Sequence, residues 1–138
     1  MTHPININEK FSKFSEHWRP KTIAALNGQE FKLAKIQGEY PFHAHEHEDE
    51  MFFCWQGEFI LDFEDGDSVP VKAGECIVVP KGVRHRPRAE AECLIFLIEP
   101  AGVKNSGDAK VEAKYDAPME SGCDATKPKI SGRWFEIS

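Results

Sequence analysis

From Ile23 onward this chain is a succession of short apolar stretches separated by residues that turn a backbone. The stretches run Thr22–Leu26, Phe31–Ile36, Glu39–Ala44, Glu50–Phe63, Ser68–Val71, Cys76–Val79 and Cys93–Ile98. Between or within them fall Asn27-Gly28, Gly38, Gly57, Asp65-Gly66-Asp67, Ala73-Gly74, Pro80-Lys81-Gly82 and Pro100-Ala101-Gly102. Stretches this short fit strands better than helices, and turn chemistry at this spacing predicts an all-β sandwich or barrel. Glu64-Asp65-Gly66-Asp67 is the clearest hairpin turn, because Gly accepts the positive φ such a turn needs.

The ends read differently. Phe11, Phe14, Ser15 and Trp18 recur at i, i+3, i+4, i+7, which predicts a short amphipathic helix over Asn8–Trp18, capped by Asn6 or Asn8 and stopped by Pro20. After Gly102 the apolar pattern decays into a polar tail, and Trp134, Phe135 and Ile137 near its end are expected to dock on the parent fold or a neighbour. The expected organisation is an arm over residues 1–21, a β-domain over 22–102 and a tail over 103–138.

A length of 138 residues suits one domain, which buries roughly two-thirds of its unfolded surface. A net charge of −6 argues against nucleic acid, whose phosphates need a basic footprint. No apolar run is long enough to span a membrane. The first residues lack the pattern of a secretory signal, so a cytoplasmic location is expected. Cys54, Cys76, Cys93 and Cys123 form no CxxC pair. The first three sit in apolar runs and read as small buried hydrophobes in a reducing compartment.

The chemistry concentrates in His43-Ala44-His45-Glu46-His47-Glu48-Asp49-Glu50. Imidazoles and carboxylates at this density suit a divalent cation and no hydrophobic core. Side chains alternate along a strand, so His43 and His45 share a face. On the following strand Glu50, Phe52, Cys54 and Gln56 point inward. Met51, Phe53 and Trp55 then point outward, an apolar face that the N-terminal helix or a partner chain should cover. His85, delivered by the Pro80-Lys81-Gly82 turn, is the candidate fourth ligand. A second register, His45, His47 and Glu50, also reads HxHxxE. Glu46 to Asp49 otherwise read as a solvated turn. His3 and His17 read as surface residues.

Two spaced motifs in this chain resemble those of the cupins. Gly38 precedes His43-Ala44-His45, four residues lead to Glu50, and six more reach Gly57. Gly74, Pro80-Lys81-Gly82 and His85 match the second motif in register, with Ala89 where the family carries Asn. The resemblance implies a double-stranded β-helix, or jelly-roll barrel. It also implies that His43, His45, Glu50 and His85 bind one divalent transition metal within it, Fe, Mn, Ni, Co, Cu or Zn.

Such a site can polarise an oxygenated ligand, activate water or bind dioxygen. Two function classes follow. One is a metal-dependent enzyme, of dioxygenase or sugar-isomerase type, acting on a small oxygenated or anionic metabolite. The other is a non-catalytic metal-dependent binding or sensing protein. Gln56 and Cys54 are expected at the cavity. Arg84, Arg86 and Arg88 either ring its mouth or point outward to pair with the excess acid, and the second reading is preferred. Apolar strand faces predict a homodimer, with Phe53, Trp55 and the Trp18 arm at its surface.

Overall fold

The computed structural model describes residues 2–103 and 106–107. The expectations for Cys123 and for the aromatic end at Trp134, Phe135 and Ile137 lie outside the described residues.

One short helix precedes seven strands. They are α1 (Ile7–Phe11), β1 (Lys21–Leu26), β2 (Gln29–Glu39), β3 (Glu50–Gln56), β4 (Glu58–Phe63), β5 (Ser68–Lys72), β6 (Cys76–Val79) and β7 (His85–Pro100). All pairings are antiparallel, in the order β1-β2-β7-β3-β6, with β4 joined to β7 and β5 to β4. This is the all-β barrel that the turn spacing implies.

The long strand β7 organises the barrel. One edge lies along β2 from Gln29↔Pro100 to Glu39↔Arg88. Its other edge is divided: His85 to Arg88 pair with β4, and Leu94 to Ile98 pair with β3. That division requires β3 and β4 to part, and Gly57 at φ 92 is where they do. That positive φ favours Gly, and a Cβ there would already touch the Cys93 Cα and the Glu92 carbonyl oxygen at 3.4 Å. The single stretch expected over Glu50–Phe63 is therefore two strands. The stretch expected over Glu39–Ala44 is irregular beyond the end of β2, apart from a bridge between His43 and His85.

Two apolar clusters lie on opposite faces of the sheet. The inner one includes Ile36, Phe52, Phe59, Leu61, Ile95 and Leu97. The outer one gathers Phe11, Phe14, Ile23 and Leu33 against Trp55, Leu94 and Phe96. Phe96 stacks with Phe11 at 6.2 Å and with Trp55 at 5.4 Å between ring centroids. The Trp55 indole donates to Asn8 Oδ1 at 2.9 Å. The N-terminal arm thus covers the outward aromatics of β3 within the same chain.

The arm itself corrects the expected helix. Helix α1 ends at Phe11, with Asn6 Oδ1 accepting the Glu9 N–H at 2.9 Å as its N-cap. Trp18 lies beyond it, at φ 63. This left-handed backbone is uncommon for a bulky residue. It swings the indole away from Phe11 and Phe14 and into the inner cluster, where it is 8% exposed. Trp18 is therefore a core residue, and not one displayed for a partner.

Candidate metal centre

Three separate segments deliver the four predicted ligands. His43 and His45 stand in the irregular segment before β3, Glu50 opens β3, and His85 opens β7. Backbone hydrogen bonds fix that meeting. The His43 and His85 N–H groups donate to each other's carbonyls, and Gly82 N–H donates to the His45 carbonyl at 2.8 Å. Glu50 is placed by its pairing with Val79 on β6. All four side chains are buried, and one ligand atom from each lies within 4.8 Å of the others.

The orientation of the rings is set from behind. His43 Nδ1 lies 3.0 Å from the Pro41 carbonyl, and His85 Nδ1 lies 2.9 Å from the Val83 carbonyl. A carbonyl can only accept, so each Nδ1 carries the proton and Nε2 keeps its lone pair for a cation. Glu50 Oε1 lies 3.4 Å from both His45 Nε2 and His85 Nε2. These three atoms are buried with no hydrogen-bond partner. Orphaned polar atoms are costly in an interior unless something sits among them. Three imidazoles and a carboxylate suit a borderline divalent transition metal, so the residues fit the group the motifs imply.

Three of the ligands differ in their electrostatics. Burial, then the neighbouring His85, pushes His43 down to about 4, which keeps its ring neutral. Burial also opposes a charge on His45, but the Glu50 carboxylate beside it prevails and raises its pKa. Burial would raise Glu50, yet the adjacent His45 and His85 imidazoles hold it well below the usual carboxylate range.

Sequence reasoning missed two neighbours. Glu99, 1% exposed, receives a bond from Lys32 Nζ at 2.9 Å, and burial followed by the Glu50 charge raises its pKa strongly. The signal lies in the sequence: Cys93, Ile95, Leu97 and Glu99 share one phase of β7, which puts an acid on the interior face. Tyr40 is the second. Its ring centroid is 5.2 Å from that of His43 and 4.9 Å from that of Trp18.

A cavity of about 30 Å³ adjoins the cluster, lined at one end by His43, Glu50 and Tyr40 and elsewhere by apolar side chains, Trp18 among them. The residues expected there are elsewhere. Gln56 is exposed, and Cys54 lies buried against Cys93 with their sulfurs 3.6 Å apart. Cys76 is exposed on the edge strand β6, which corrects its expected burial. His47 has a side chain 79% exposed, so the register through His47 does not converge. The three arginines point away from the ligands. Arg84 pairs with Glu64, Arg86 with Asp62 and Glu39, and Arg88 with Asp62. His17, expected at the surface, pairs with Glu92 at 2.7 Å.

The chain belongs to the cupin family: the Cupin domain pattern matches residues 29–99. It is 32% identical over 93 residues to the uncharacterized protein YdbB of Bacillus subtilis (strain 168), covering 67% of this chain and 76% of that one. A cupin-2 domain containing protein from Shewanella frigidimarina is 46% identical, with a TM-score of 0.68 over 70% of this chain and 93% of its own. Protein NMB1881 from Neisseria meningitidis is 39% identical, with a TM-score of 0.66 over 71% of this chain and 99% of its own. The hydroquinone 1,2-dioxygenase PnpCD, solved in complex with Fe3+, shares the fold at 20% identity and a TM-score of 0.65, over 72% of this chain and 33% of its own. Among the described residues no helix is long and apolar enough to cross a membrane.

Proposed function

We propose that His43, His45, Glu50 and His85 bind one divalent transition metal, and that the protein is a metal-dependent enzyme acting on a small molecule in the barrel. The observation that carries this reading is the convergence of His45 Nε2, His85 Nε2 and Glu50 Oε1, buried and without partners. When bound, such an ion supplies a Lewis acid with positions open to an oxygenated ligand or dioxygen.

The chain's own groups have definable parts. The Pro41 and Val83 carbonyls hold the His43 and His85 rings in the tautomer that leaves Nε2 free. The apolar inner cluster excludes water, which strengthens every charge interaction at the site. Tyr40 lines the cavity beside His43 and supplies the titratable hydroxyl that an enzyme could use as acid or hydrogen-bond donor. A cavity Tyr favours turnover over binding alone. Apolar walls favour dioxygenase chemistry over sugar isomerisation, because a sugar's hydroxyls would lose water there without replacement.

The test is metal analysis of untagged protein beside the His43/His45/Glu50/His85→Ala quadruple variant. About one equivalent of transition metal in the first and none in the second is expected. Equal content in the two would sink the assignment. Oxygen uptake on a metabolite panel then separates dioxygenase chemistry from the rest. Homodimerisation is part of the same reading, and light scattering at two concentrations checks it.

A further inference from the structure

The cavity beside the ligands, at about 30 Å³, holds a water or two. Small-molecule sites run to about 300 Å³ or more. A ligand reaching the metal proposed above must therefore displace a wall. Ala34, Ile36, Phe52, Ile95 and Leu97 are walls that belong to the ladders of β2, β3 and β7. Strand pairing fixes the backbone behind each of them. Trp18 and Pro20 come from the arm, ahead of β1.

Trp18 is the wall with a reason to move. Its backbone sits at φ 63, a conformation bulky side chains rarely adopt. Its N–H donates to the Lys35 carbonyl at 2.9 Å, and its indole N–H donates to the Gln37 carbonyl at 3.0 Å. The indole lies on Tyr40 with ring centroids 4.9 Å apart and planes tilted by 42°. Swinging the ring outward breaks the Gln37 bond and leaves a flat slot beside Tyr40, open toward His43 and Glu50.

The slot's chemistry selects its occupant. Among the described residues no Arg or Lys lines the cavity, and Arg86 and Arg88 are tied to Asp62 on the outer face. Among these residues a polyanion finds no cation besides the metal. A polyol would bury hydroxyls among hydrocarbon walls without partners. A flat ring with its polar group at one end matches what the indole leaves behind, and gains a ring contact with Tyr40.

We infer that the Trp18 indole is the removable wall of the ligand chamber, standing where the ring of a small hydroxylated aromatic ligand binds with its hydroxyl toward the metal ligands. This rests on the metal reading above and adds to it a ligand class and a residue that controls access.

The test uses zinc-loaded protein, since zinc is redox-silent, and catechol as the probe, with xylose as a polyol control. Zinc content is measured first. In a Trp55→Phe, Trp134→Phe background, Trp18 is the sole tryptophan. Catechol is expected to shift its emission to the red, as the indole meets water, and xylose to leave it unchanged. Calorimetry on Trp18→Gly, which accepts the φ without strain, is expected to show catechol binding at least about tenfold tighter, because closure no longer competes. Trp18→Leu, a smaller apolar wall, should fall between and guards against a folding defect in the Gly variant. Unchanged Trp18 emission at saturating catechol, weaker binding by Trp18→Gly, or no catechol binding by a chain holding one zinc overturns the inference. A wild-type chain that holds no zinc overturns the metal reading, and this inference with it.

Discussion

His43 and His85 hold each other by the backbone. The His43 N–H donates to the His85 carbonyl at 3.0 Å, and the His85 N–H returns a bond to the His43 carbonyl at 2.9 Å. Their ring centroids lie 4.4 Å apart. The bridge is made by main-chain atoms, so it survives loss of either side chain. His85→Ala should therefore keep the fold and weaken metal binding by about 100-fold or more, beyond the usual cost of an outer-shell change. In wild type, metal at 100 times its Kd should add about 2.7 kcal/mol of stability. That appears as several degrees of Tm, removed by a chelator. Melting curves of both proteins, with zinc and with EDTA, check this. A wild-type Tm indifferent to both would count against the four ligands.

The cysteines should separate by reactivity. Cys54 and Cys93 are fully buried, and burial raises both thiol pKa values. Cys76 is exposed on β6. Thiolate is the reactive form. In a Cys123→Ser background, one thiol per chain should react with a disulfide reagent within minutes, and two more only on unfolding. Three fast thiols would contradict the packing of Cys54 against Cys93.

Much of this arrangement is legible in the sequence. Turn residues at Gly66 and Gly74 marked strand ends, and alternation along Glu50, Phe52 and Cys54 showed the inward face. The ligands were legible because a metal demands a few residue types at fixed spacings. The failures share a cause. Phe11, Phe14 and Trp18 keep helical spacing, but the first two serve the outer cluster and the third the inner one. Local periodicity cannot report that a chain crosses from one face of a sheet to the other. The early half of β7 was missed for a related reason. His85 to Glu92 is rich in charge because its outward side chains pair with acids such as Asp62, and not because it is a loop.

Asp62 gives a prediction with a sign. Burial would raise its pKa, but bonds from Arg88, Ser68 and Arg86 hold it down to about 2, against 3.8 for a free Asp. A depressed carboxylate adds stability that is fully present above its unfolded value and lost as pH falls through its folded one. Wild type should lose this contribution between about pH 4 and pH 2. Asp62→Asn should lack it at neutral pH, by about 1 kcal/mol after allowing for solvent screening of the partly exposed Arg86 and Arg88. The difference in stability between the two should shrink toward pH 2. Urea titrations across that range check it, and a difference that grows with acid would reverse the assignment.

Gly107 tests how tightly the chain after β7 controls the ligand segment. Its backbone presses on the His43–Ala44 peptide, so that a Cβ would collide with the Ala44 carbonyl and stand 3.1 Å from His43 Cδ2. Its φ of +56 is itself unfavourable for a side chain. Gly107→Ala must then move Ala44, the residue between two proposed ligands, or lift its own turn away. If Ala44 yields, both imidazoles shift, and a displacement of a few tenths of an ångström matters to a cluster whose ligand atoms lie within 4.8 Å. The expected outcome is roughly a tenfold loss of metal affinity, the scale of an outer-shell defect, with the far-ultraviolet spectrum unchanged. Competition against a zinc indicator measures it. Wild-type affinity in Gly107→Ala would mean that the turn gives way and that the ligand segment keeps its place through its bonds to His85 and Gly82.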